Sequence, residues 1–224
     1  MAKSAQKKNW FAIWVSVAVV VVLVGVGVLV VALNNQASAP GEAPESSIID
    51  VESGAISVGD GADSVAIFVD FMCPFCKQFE DTGGSVIDGL VEDGSITLDI
   101  HPLGLLDRAS QGTEFSSRSA SAMYSVAVND PDNVLPFLQA MYANQPAEGT
   151  PGLTNEEIIE VARQAGVNVA AELEADITSG RYVKFVQAQT LPEGAQGTPT
   201  LMINGELVPV TFDPQVDIVQ NLAR

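Results

Sequence analysis

Phe71-Met72-Cys73-Pro74-Phe75-Cys76-Lys77-Gln78-Phe79 follows the apolar run Val65-Ala66-Ile67-Phe68-Val69 and holds both cysteines of the 224-residue chain. Random placement would set two cysteines three positions apart only about once in a hundred chains, so the spacing carries information. An apolar run that passes into Cys-Pro predicts a strand-to-helix junction with the first sulfur at the helix N-terminus. There, unpaired N–H groups and the helix dipole favour the thiolate over the thiol. The thiolate is the nucleophile of disulfide exchange, and Cys76, one turn on, can close a ring with it. Two plainer readings compete. A static disulfide closing so short a loop would constrain the unfolded chain very little. A zinc site would need more ligands, and only His101, in the strand-like run 96–101, adds a nitrogen. The expectation is redox chemistry with no metal.

Trp10 to Leu33 form 24 consecutive residues without a charge, dominated by valine. As a helix they would span roughly 36 Å, enough for a bilayer core. Lys3, Lys7 and Lys8 precede the run, so the positive-inside rule leaves residues 1–9 cytoplasmic and everything after Leu33 outside. Ala37-Ser38-Ala39 resembles a signal cleavage box. The apolar run is nevertheless far longer than a signal core, and Pro40 is badly placed for cleavage. A retained single-pass anchor at 10–33 is expected, in the cell membrane.

Three of the ten Lys and Arg residues precede the run, so seven lie beyond it against 28 Asp and Glu, a net charge of −21. Such a surface argues against nucleic acid and against anionic headgroups as partners. An exported location also suits the cysteines, since a dithiol there meets no glutathione pool.

Residues 34–54 are rich in Ala, Ser, Pro, Gly and Glu and read as a flexible linker. The remaining 55–224 suit one domain. Ala55 to Val58 reads as a short strand and Val65 to Phe71 as a buried one. A helix from Cys73 is expected to be kinked or ended by Gly83-Gly84, with a second piece over 86–91. Ile96 to Ile100 is the next strand, completing a parallel β-α-β unit. Apolar spacing then turns helical over about 105–190, through Ala120, Met123, Tyr124 and Ala127, then Leu135, Leu138 and Tyr142. Thr154 with Glu157 forms a capping box that opens a further helix. Thr200 to Ile203 and Leu207 to Val210 flank Asn204-Gly205, a strong hairpin signal. Asp213-Pro214 should start a terminal helix with Val216, Val219 and Leu222 inward.

The order β-α-β, helical block, β-β-α resembles the DsbA-like thiol:disulfide oxidoreductases, in the membrane-anchored form of Gram-positive and actinobacterial type. Two motifs carry the likeness: Cys73-Pro74-Phe75-Cys76, and Gly197-Thr198-Pro199-Thr200, which is similar to the segment bearing the family's cis-proline. The resemblance implies an α/β thioredoxin fold with a helical insertion, preceded by one transmembrane helix. It implies that Cys73 is the exposed attacking cysteine and Cys76 the shielded resolving one. Thr198, Pro199, Pro74 and Phe75 would contact the client. No cofactor is implied. Two positions depart from the family pattern. Phe75 stands where better-known members carry a donating His, and Ile67 stands where many thioredoxin folds carry a buried acid. Asp70, nearer in sequence, is expected to be solvated.

The resemblance further implies an oxidase for exported cysteine-containing clients, monomeric, and reoxidised by a membrane partner of the DsbB or VKOR type. A reductase or isomerase of the same fold, or a binding or chaperone module with an incidental Cys pair, are the alternatives.

Overall fold

β3 (Asp63–Val69) lies inside a six-stranded sheet of order β1-β2-β4-β3-β5-β6. Its partners are β4 (Ile96–Pro102), parallel with Val65 beside Leu98, and β5 (Thr200–Ile203), antiparallel with Val65 beside Ile203. A strand so placed is covered on both faces, which is why it reads as a continuous apolar run. β2 (Ala55–Val58) pairs antiparallel with β4, and β6 (Glu206–Val208) with β5. Asn204 and Gly205 form a two-residue turn, both with positive φ (50° and 84°), as a type I′ hairpin requires.

This computed structural model describes residues 10–37 and 41–222. The chain divides into two units, 1–40 and 41–224. In the first, α1 (Trp10–Ala37) contains a 19-residue stretch, Ile13–Val31, of mean hydropathy 3.0, long and apolar enough to cross a membrane. Lys3, Lys7 and Lys8, which carry the orientation signal, and Ser38, Ala39 and Pro40 of the cleavage reading lie outside the described residues.

Of the linker expected over 34–54, residues 38–40 lie outside the described residues, and the described parts on either side are structured. α1 runs on to Ala37, and residues 41–54 belong to the second unit. Pro44 is buried, the Ser46 hydroxyl donates to the Ala127 carbonyl at 3.0 Å, and β1 (Ile49–Asp50) pairs with β2. Composition hid this because, among the described residues of 41–54, Ile48 and Ile49 are the aliphatic side chains packed on the core.

α2 (Pro74–Glu92) is one helix straight through Gly83 and Gly84. Gly84 leaves room that a Cβ would take from the folded-back Glu80 carboxylate, and Gly83 is buried near Pro214 and Ile218. Tertiary packing outweighs the roughly 1 kcal/mol that each mid-helix glycine costs.

The insertion comprises α3 (Phe115–Asn129), α4 (Val134–Ala143), α5 (Asn155–Gln164), α6 (Ala171–Ser179) and α7 (Val183–Ala188). The Thr154–Glu157 capping box forms in both directions. α3 is the buried centre, packed against α4, α6 and α7, and its Ser and Ala residues allow that close approach. The terminal helix has another phase than expected. α8 (Pro214–Asp217) is a single turn, Asp217 and Ile218 point inward, and Val216 and Val219 are exposed, while Leu222 packs on the core as expected. Asp217 sets this phase, because its carboxylate accepts from the backbone N–H groups of Thr211 and Phe212 at 2.9–3.0 Å.

Candidate active site

Cys73 is the N-cap of α2 and Pro74 follows in its first turn, where a missing N–H costs nothing. The structure holds both cysteines as thiols. The Cys73 thiol donates to the Thr198 carbonyl at 3.3 Å, and the Thr198–Pro199 bond is cis, as expected. Residues 125 positions apart thus meet at one sulfur.

Cys73 is only 4% exposed and Cys76 1%. The expectation of an exposed first cysteine is therefore corrected, for the Thr198 carbonyl lies against Sγ. An adjoining groove of about 420 Å³ is lined by Phe75, Thr198, Pro199, Leu207, Val210 and Phe212 among others, with no charged residue among the described ones. Phe75 is 57% exposed at its edge, with the Phe212 ring 6.3 Å away. Pro74 is exposed but does not line the groove.

The two sulfurs are electrostatically unequal. Cys73 is lowered to about 6, first by the neighbouring Cys76 thiol and, against the cost of burial, by the Thr198 side chain and the N–H groups of Cys76 and Phe75. Cys76 is pushed well above the ordinary thiol value by burial and then by the Cys73 charge. Phe75 offers no side-chain donor, so the Cys76 thiol, Thr198 and the backbone of the helix start do this work. At neutral pH the first sulfur is a thiolate and the second a thiol. That division suits disulfide exchange.

Asp70 is not solvated. It is fully buried, and its carboxylate accepts from Met72 N at 2.8 Å, Leu106 N at 2.9 Å and the Ser116 hydroxyl at 2.7 Å. Strand alternation fails here because β3 ends at Val69, and Asp70 turns into the insertion. Burial raises its pKa despite these donors. Ile67, in the position of the usual acid, is a plain core residue. His101 is packed too, its ring stacked at 4.0 Å on Phe68.

The family model described as Thioredoxin matches residues 54–221, three-quarters of the chain. The chain belongs to the thioredoxin family. Within it the domain is DsbA-like, with a helical insertion and one apolar N-terminal helix. The oxidised form of Mycobacterium tuberculosis DsbA is 29% identical with a TM-score of 0.63, over 70% of this chain and 86% of that one. The reduced M. tuberculosis oxidoreductase DsbG is 30% identical, TM-score 0.60, over 77% and 83%. MdbA of Actinomyces oris, a thiol-disulfide oxidoreductase, is 25% identical, TM-score 0.60, over 75% and 83%. The serine/threonine-protein kinase PknE of M. tuberculosis is 29% identical over 160 residues, 67% of this chain and only 28% of the kinase. The chain therefore spans under a third of the curated relatives it matches. The domain has the fold of the thiol-disulfide oxidoreductases it resembles.

Glu80, one turn beyond Cys76, carries no signal in the sequence because a Glu on an amphipathic helix usually faces solvent. Burial, then Asp88 and Asp81, raise its pKa to about 7. Since the folded value exceeds the unfolded one, the folded state gains relative stability below pH 4.5 and loses it between 4.5 and about 7. Glu80→Gln should leave stability unchanged at pH 4 and raise it at pH 8 by about 1–3 kcal/mol. Denaturant unfolding at the two pH values measures this, and equal effects at both would refute it.

Proposed function

We propose that the domain is a disulfide-forming oxidase for exported proteins. The unequal sulfurs carry this reading. A client thiolate attacks Sγ of Cys73 in the oxidised pair, and the Cys73–Cys76 bond breaks. Cys76 leaves and is protonated at once, because burial holds its pKa high. A second client thiolate then attacks the client sulfur of the mixed disulfide and expels Cys73 as a thiolate. A leaving thiol with a pKa near 6 departs readily, which favours delivery of the disulfide to the client. Two electrons pass from client to domain.

The uncharged groove beside Thr198 and Pro199 supports a client bound through backbone and apolar side chains, with Thr198, Pro199 and Phe75 in contact and Pro74 at the margin. Such recognition suits many substrates. The reduced pair is returned to the disulfide by a membrane oxidant of the DsbB or VKOR type, and α1 keeps the two in one bilayer. The catalytic unit then stands outside the cytoplasm.

The test uses purified full-length protein, oxidised, with a reduced unfolded client. Client thiols should disappear in step with reduction of the Cys pair, and Cys73→Ser should abolish the transfer. A pair that stays disulfide-bonded in millimolar reduced glutathione would mark a reductase instead. On intact reduced cells an impermeant thiol reagent should label Cys73, and labelling only after lysis would overturn the proposed location.

A further inference from the structure

The sheet stops holding the chain at Val69, whose carbonyl receives the Leu103 N–H at 2.8 Å. The next four residues carry the reactive turn, and the insertion grips them. Leu106 N and the Ser116 hydroxyl bind the Asp70 side chain, and the Tyr142 hydroxyl donates to the Asp70 carbonyl at 3.4 Å. Gln145, two residues past α4, reaches the cysteine itself. Its Nε2 donates to the Phe71 carbonyl at 3.0 Å and to the Cys73 carbonyl at 2.9 Å. Both partners are acceptors, so only the amide nitrogen can face them.

The Cys73 carbonyl also receives the N–H groups of Cys76 and Lys77 at 3.1 and 3.2 Å, the opening bonds of α2. Three donors on one oxygen fix the plane of the peptide that follows Cys73. That plane sets how the Phe75 and Cys76 N–H groups meet the sulfur. The Gln145 amide also puts the positive end of its dipole beside the turn that must carry a negative sulfur.

We propose that Gln145 is a positioning residue through which the helical insertion sets the reactivity of the Cys73 sulfur. The proposal rests on Cys73 and Cys76 being the reacting pair, but not on the direction in which they run. Without the amide the peptide is free to tilt, and the thiolate loses donor alignment while the thiol loses little. A Glu at this position would press a carboxylate on two carbonyls and add a negative charge. Both effects act against the thiolate.

The experiment titrates the Cys73 thiolate by its ultraviolet absorbance in the full-length protein. It also measures the equilibrium of protein disulfide and two reduced glutathiones with protein dithiol and oxidised glutathione. Gln145→Met keeps the length and removes the donors, and it should shift the titration upward by about half a unit, roughly threefold in the equilibrium. Gln145→Glu should shift it by about one unit, roughly tenfold, toward the protein disulfide. A merely structural role would lower the melting temperature and leave both readouts in place. Titration and equilibrium within a factor of 1.5 of wild type in folded Gln145→Met would overturn the proposal, whatever Gln145→Glu does. Cys73→Ser run in parallel separates the two ideas: exchange that survives it defeats the Cys-pair reading and this proposal with it, whereas exchange lost in Cys73→Ser but unchanged in Gln145→Met overturns the role of Gln145 alone.

Discussion

Cys76→Ala is expected to arrest the cycle at its midpoint, with client proteins accumulating on Cys73 as mixed disulfides. In the reduced wild type the Cys73 thiolate is the sulfur that client disulfides meet, beside the groove, while Cys76 is both more buried and protonated. Without Cys76 the linked species cannot be resolved from the protein side and persists until a client or added thiol attacks it. Cys73→Ala should trap nothing, since the remaining cysteine is buried and burial holds its proton at neutral pH. Non-reducing gels after acid quenching measure the difference, which should be all or none. Comparable adducts on both variants would reverse or abolish the assigned roles.

Asp70→Ala should cost about 3 kcal/mol of stability, the largest single loss expected outside the apolar core. Removing the carboxylate strands the Met72 N–H, the Leu106 N–H and the Ser116 hydroxyl where water does not easily replace it. Each stranded donor costs about 1–3 kcal/mol, partly offset because the buried charge disappears with it. Asp70→Asn keeps one acceptor oxygen and should lose about half as much. Denaturant unfolding at pH 7 is the measurement. A loss below about 1 kcal/mol for Asp70→Ala would mean that the turn is held by Tyr142 and Gln145 alone.

Local chemistry made much of this protein readable in one dimension. The run Val65 to Val69 has to be a buried strand, because five apolar residues in succession can be covered only on both faces. Asn204-Gly205 has to turn, since positive φ at both positions is cheap for that pair. Cys-Pro after the strand places a sulfur at a helix start, and Thr154 with Glu157 opens a helix by reciprocal hydrogen bonds. Each of these signals lies within a few residues.

What failed in the sequence depends on distant neighbours. Gly83 and Gly84 look like a break until Glu80 and Ile218 are in place around them, and 41–54 looks like a tether until Ala127 and β2 receive it. The terminal turn takes its phase from Asp217 bonding to 211–212, not from its apolar spacing. Asp70 looks solvated by strand parity, and only the arrival of Leu106 and Ser116 makes a buried carboxylate tolerable there. Gln145 gives no local signal at all, since an amide in a loop after a helix is ordinary. Sequence alone determined that the chain carries a Cys pair on a strand-to-helix turn of an α/β domain behind an apolar helix. Tertiary structure decided how that pair is tuned, because a sulfur's charge depends on burial and on donors beyond its own helix start, Thr198 and Gln145, which only folding brings within about 3 Å of the turn.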